Sequence, residues 1–145
     1  MAEATVGVLA IGHGESATAL LAAARMILGP AAGALADVVA VDAGVGKSPD
    51  LERIVRTEIS AVDQGAGVLL LVDLLGASPC SCSQQRAQQN GNRATVLSGL
   101  NLAMLLKLAT VDRQGSSPTE VANACAESVR RSVVVSGVPK AKQEP

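Results

Sequence analysis

The chain has 145 residues and 12 basic against 13 acidic side chains, so it presents neither an electrostatic footprint for nucleic acid nor a basic face for anionic lipid. Apolar residues make up 48% of it, yet Phe, Tyr and Trp are absent, which leaves Leu, Val, Ile, Ala and Met to build the core and excludes base stacking on aromatic platforms. The length fits one domain able to bury its own core, and no window offers the run of about twenty uninterrupted apolar positions that a membrane span needs.

A soluble protein with no membrane insertion is therefore expected. Met1-Ala2-Glu3-Ala4 carries no basic cluster of the secretory type, which predicts a cytoplasmic address. Cys80, Cys82 and Cys125 have no zinc-type spacing and suit a reducing compartment, so they are read as structural.

Residues 5–11 carry Val6, Val8, Leu9 and Ile11 with almost nothing polar, as in a strand covered on both faces of a parallel sheet. Residues 16–28 place Leu20, Leu21, Ala24, Ile27 and Leu28 at helical spacing, and Gly29-Pro30 is the stop signal. A β-branched run over 37–41 predicts the second strand, followed by a glycine-rich turn over 42–47. Ser48-Pro49-Asp50 reads as an N-cap, a proline at the first helical position and an acid at the positive end, opening a helix that continues toward Gln64-Gly65.

The strongest strand signal, residues 67–72, delivers Asp73 to its carboxyl end. Ser78-Pro79 repeats the cap-and-proline signature and predicts a helix to about Gln89, closed by Asn90-Gly91-Asn92. A fourth strand over 93–98 leads into a helix over 102–109. Ser117-Pro118-Thr119-Glu120 matches a capping box for a last helix over 118–133. Residues 1–135 are thus expected to form the domain and 136–145 a flexible tail. Strands and helices that alternate in this way predict an α/β fold: a single doubly wound domain with a mainly parallel four-stranded sheet in the order 2-1-3-4, room for one extra edge strand, and helices on both faces.

The order matters for chemistry, because the first and third strands then flank the switch point, where ligands of open α/β sheets collect. His13, the one histidine, follows the first strand between Gly12 and Gly14, and Asp73 ends the third. A carboxylate that accepts the proton of one ring nitrogen leaves the other nucleophilic. The helix start at Ser78 offers amides to a phosphoryl group, with Gly76 allowing close backbone approach and Gly14 clearing space beside the ring. The residues therefore predict His13 and Asp73 as catalytic and Ser78, Gly76 and Gly14 as phosphate-binding.

Other chemistries fit less well. No G-x-S-x-G elbow is present, and Gly44-Val45-Gly46-Lys47-Ser48 lacks the spacing of a phosphate-binding P-loop, so it reads as a glycine turn and cap. One histidine cannot build a multi-histidine metal site, and the cysteines offer an incomplete soft one, so neither metal nor cofactor is expected. A rival from another class is a binding module in which His13 lines a small-anion pocket without covalent chemistry.

Gly12-His13-Gly14, the string from Leu71 to Pro79, and Ser98-Gly99-Leu100-Asn101-Leu102 together resemble the IIA component of the mannose/fructose/sorbose class, and the related N-acetylgalactosamine branch, of the bacterial phosphoenolpyruvate-dependent sugar phosphotransferase system. The resemblance implies a doubly wound domain, a homodimer, and a histidine that accepts phosphate from the phosphocarrier HPr and passes it to a IIB component. His13 is the matching histidine, implied to be phosphorylated on Nε2; Asp73 matches the aspartate beside the ring and Ser78 the residue near the phosphate. Ala77 replaces the second glycine of the family's pair, and Cys80 stands where an aromatic residue is common. IIB is expected on a separate chain. Regulatory phosphohistidine proteins and the phosphotransfer subunit of dihydroxyacetone kinases share the fold, but the string from Asp73 to Pro79 fits the sugar class better.

Overall fold

The computed structural model describes residues 3–45, 48–74 and 94–137. The described strands are β1 (Gly7–Gly12), β2 (Val39–Asp42), β3 (Val68–Val72) and β4 (Ala94–Ser98). All pair in parallel in the order β2-β1-β3-β4, as the alternation predicts. The described helices are α1 (Ser16–Leu28), α2 (Pro49–Val62), α3 (Leu102–Leu108) and α4 (Pro118–Ser132). The helix expected from Ser78 to Gln89, and with it Gly76, Cys80 and Cys82, lies outside the described residues, as does the tail from residue 138 onward.

The alternation of side chains along the strands divides the core in two. Val8, Ala10, Leu69 and Leu71 face α1, α3 and α4. Leu9, Ile11, Leu70 and Val72 face α2 through Leu51, Val55, Ile59 and Val62, which recur once per turn on a single helix face. Every residue of β1 and β3 is buried, the pattern that a sheet covered on both sides requires. Cys125 sits fully buried in the first cluster, and burial pushes its thiol up to about 11, so it is an inert apolar filler there.

The caps follow the sequence signals. Ser48 Oγ accepts from Leu51 N–H at 3.1 Å, Asn101 Oδ1 accepts from Met104 N–H at 2.9 Å, and Ser117 and Glu120 form the reciprocal capping box. The end of α1 at Leu28 is the expected one. Gly29-Pro30 ends α1, but the chain continues as a 3-10 helix, Gly29–Leu35. Gly29 leaves the α conformation with φ of 54°, Pro30 is compatible with a fresh helical start, and the Arg25 guanidinium donates to Leu35 O at 3.0 Å and Val38 O at 3.2 Å, tying the segment back onto α1.

Residues Ser16–Leu35 reach a mean hydropathy of 1.5, enough by length and composition to cross a membrane. In the fold this stretch is not one continuous α-helix; α1 packs on the sheet through Ala17, Leu21 and Ala24, and the 3-10 segment buries Leu35. At the other end of the chain, α4 stops at Ser132 and Val133, Val134 and Val135 run on exposed and without secondary structure.

The amino-terminal end of the sheet is closed by a group that sequence patterning did not reveal. Arg113, 8% exposed, donates to Val6 O at 2.8 Å and Ala34 O at 3.2 Å and forks onto both Asp37 oxygens at 2.6 and 3.0 Å. It thereby ties together the approach to β1, the 3-10 segment and the approach to β2.

Candidate functional site

His13 stands at the opposite, carboxyl end of the sheet. β1 ends at Gly12, whose Cα lies so close to Ser16 Oγ and Ala17 N that a side chain would collide with the start of α1. The turn is then built around the histidine. Ser16 donates to His13 O from both its backbone N–H at 3.1 Å and its hydroxyl at 2.7 Å. Gly14 takes φ of 56°, a left-handed conformation that glycine adopts without strain.

The segment after β2 holds this turn from one side. Ala43 N–H donates to Gly12 O at 2.7 Å, and Gly14 and Gly44 exchange hydrogen bonds of 2.7 and 3.4 Å. The Gly14 N–H is thus engaged with Gly44, and the missing side chain of Gly14 leaves open space at the turn. Asp42, the last residue of β2, accepts from Thr18 N–H at 3.1 Å and from the Thr18 hydroxyl, acting as a cap for α1 from a neighbouring strand. Glu15 makes no side-chain cap of its own. Sequence reading assigned 42–47 to a plain turn and missed this role, although the strand order 2-1-3 itself puts the end of β2 beside His13.

From the other side comes Asp73, directly after β3. Its carboxylate accepts from His13 N–H at 2.8 Å, from Leu74 N–H at 2.9 Å, and from His13 Nδ1, which lies 3.0 Å from Oδ2 and 3.2 Å from Oδ1. Partial burial pushes the carboxyl up, but the hydrogen bonds from the His13 main chain and ring, together with the ring's charge when protonated, outweigh it and hold Asp73 below the ordinary range. The side chains are part-exposed, 34% for His13 and 19% for Asp73.

These distances decide the tautomer. An ionised carboxylate only accepts, so the proton lies on Nδ1 and the lone pair on Nε2. Among the described residues no group is bonded to Nε2. The arrangement is an oriented, part-exposed nitrogen nucleophile whose developing positive charge faces a carboxylate. The structure brings His13, Asp73 and Gly14 together as expected, while Ser78 and Gly76 lie outside the described residues. Among the described residues no three of His, Cys, Asp and Glu converge to hold a metal ion.

Solved structures share this architecture. The mannose/sorbose-specific IIA subunit of the phosphotransferase system from Enterococcus faecalis is 26% identical, with 93% of this chain and 97% of that one covered and a TM-score of 0.69. The phosphotransferase system component EIIA from Streptococcus agalactiae is 23% identical, with 90% and 96% covered and a TM-score of 0.72. The PTS IIA protein associated with the fucose utilization operon of Streptococcus pneumoniae is 20% identical, with 99% and 100% covered and a TM-score of 0.73. The last two are likenesses of fold. Comparison with curated protein sequences finds no match. The family model described as the fructose IIA component of the phosphotransferase system matches residues 7–127, from the start of β1 well into α4, and the chain therefore belongs to that IIA family.

Proposed function

We propose that the chain is a cytoplasmic phosphohistidine carrier of a sugar phosphotransferase system, taking a phosphoryl group from phosphorylated HPr onto His13 Nε2 and giving it to a IIB component. The observation that carries this is the Asp73 contact with His13 Nδ1, because it leaves the Nε2 lone pair pointing away from the carboxylate. As the Nε2–P bond forms, the N–P bond of the donor breaks and the donor imidazole leaves with the electron pair. The Nδ1 proton stays in place, and Asp73 offsets the charge that the ring acquires. The return step reverses these roles with the nucleophile of IIB.

Ser78 and Gly76 are proposed to bind the phosphate, with Gly14 leaving room beside the ring. The working domain is taken as residues 1–135, with 136–145 as a tail. A homodimer is part of the proposal, supported by the exposed run Val133, Val134 and Val135, which a second copy would cover; sedimentation of the purified protein tests it.

The deciding experiment is incubation with phosphoenolpyruvate, enzyme I and HPr, followed by intact-mass measurement. A gain of one phosphoryl group, labile to acid and absent from His13→Ala, is expected. No gain overturns the carrier reading, and a gain that persists in His13→Ala moves the phosphorylated residue elsewhere, Ser78 first.

A further inference from the structure

Gly12, the last residue of β1, pairs with Asp42, the last residue of β2, while Ile11 pairs with Val72, so that Asp73 follows on the other flank. Two carboxylates thus border the strand end that carries His13. Asp73 is bonded to the histidine itself. Asp42 is bonded instead to the first turn of α1, where Oδ1 accepts from Thr18 N–H at 3.1 Å and Oδ2 from the Thr18 hydroxyl. That turn is tied in its own right to His13, whose carbonyl accepts from the Ser16 N–H and hydroxyl. With neighbouring strands about 4.8 Å apart and successive residues rising about 3.3 Å, the Cα atoms of Asp42 and His13 lie roughly 6 Å from each other.

We propose that Asp42 raises the phosphoryl-transfer potential of His13, by repelling the phosphoryl group once it is bound and by denying it the first turn of α1 as a resting place. The proposal rests on the carrier reading of His13. A helix start attracts phosphate through its free amides and its dipole, and α1 begins three residues after His13. Asp42 takes the Thr18 amide that such a phosphate would use and puts a negative charge in its place. Residues 13–24 and 39–45 contain no Lys or Arg to offset that charge. The two carboxylates therefore act in opposite senses. Asp73 faces the ring and stabilises the positive charge that the ring acquires, whereas Asp42 is held on α1 and meets only the added negative charge. Asp42 is thus not a catalytic residue; it shifts the stability of the phosphorylated state. It is exposed, so water and salt weaken its field and limit the shift to severalfold.

The test is the equilibrium in which phosphorylated HPr and the full chain share one phosphoryl group, read by intact mass of both proteins after phosphoenolpyruvate and enzyme I are removed. Asp42→Asn removes the charge and keeps an acceptor for Thr18 N–H. It is expected to raise the equilibrium constant for phosphorylated His13 about threefold to tenfold at low ionic strength, and the gap from the parent narrows as salt is added. Asp42→Ser, also neutral, shifts the constant in the same direction. Thr18→Val loses the hydroxyl donor but leaves the charge, and does not raise it. A purely structural cap predicts the opposite pattern, with Asp42→Asn unchanged and Thr18→Val shifted. A constant within about twofold of the parent in both neutral variants overturns the proposal. A rise that persists undiminished at high salt, or an equal rise in Thr18→Val, overturns it too, because either assigns the effect to geometry and not to charge. Failure of the parent protein to take phosphate from phosphorylated HPr defeats the carrier reading itself, a result distinct from all of these.

Discussion

The two ends of the sheet each hold a nitrogen base against a carboxylate, and they do opposite work. At the amino end Arg113 is 8% exposed and spends its donors on Asp37, Val6 O and Ala34 O. At the carboxyl end His13 is 34% exposed, and of its two ring nitrogens only Nδ1 meets Asp73. A guanidinium with both terminal nitrogens engaged in this way is a clamp. An imidazole with one nitrogen bound and the other open is a reagent. The lesson is that a pairing of base and acid does not mark a site; an unspent atom on it does.

The comparison can be broken first at the clamp. Arg113→Leu should lower the unfolding free energy by about 3 kcal/mol, roughly a hundredfold in the folding constant, because a carboxylate and two carbonyls lose their donor. Urea unfolding measures this, and folded Arg113→Leu should still accept phosphate. Asp73→Asn should do the reverse. Losing a hydrogen bond to a charged group costs about 1.5 to 3 kcal/mol, here expected as a tenfold to hundredfold slower phosphoryl transfer in rapid-quench kinetics, with a smaller loss of stability than Arg113→Leu.

Acid sharpens the contrast within one experiment. The Arg113 hydrogen bond, against the opposing effect of burial, holds Asp37 below its ordinary 3.8, and Asp73 is likewise depressed. A carboxyl lowered on folding adds stability that is complete above the unfolded value and is lost as pH falls through the folded one. Unfolding free energy should therefore drop as pH falls below the ordinary carboxyl range and through the lowered folded values, and Asp37→Asn should flatten that drop in urea titrations across acid pH. The smallest effect is expected at the cap: Asp42→Ala should cost about 1 kcal/mol of stability, while Asp42→Asn, which keeps an acceptor for Thr18 N–H, should restore most of it in thermal melts.

Much of this was legible in the residues because it is local. The apolar runs of β1 and β3, the Ser48 and Ser117 caps and the buried face of α2 all depend on neighbours a few positions apart. The pairing of His13 with Asp73, 60 residues apart, was legible for another reason: right-handed crossovers leave few ways to order parallel strands, and the order 2-1-3-4 makes those two strand ends adjacent. Arg113 and Asp37 carried no such signal, since an arginine in a loop after α3 and an aspartate opening a predicted strand read as ordinary surface charges. Gly29-Pro30 ended α1 where expected, but the 3-10 segment beyond it was not legible, because a glycine and a proline that stop an α-helix do not forbid the tighter continuation.

By itself, then, the sequence determined the alternation of elements, the α/β class and the placing of His13 and Asp73 at strand ends, all of which follow from periodicity, turn chemistry and chain handedness. Only the tertiary structure decided that Asp73 takes Nδ1 and leaves Nε2, that Asp42 caps a helix from a neighbouring strand, and that Arg113 locks the far end. Those outcomes depend on hydrogen-bond distances of about 3 Å between distant segments, which no spacing along the chain encodes.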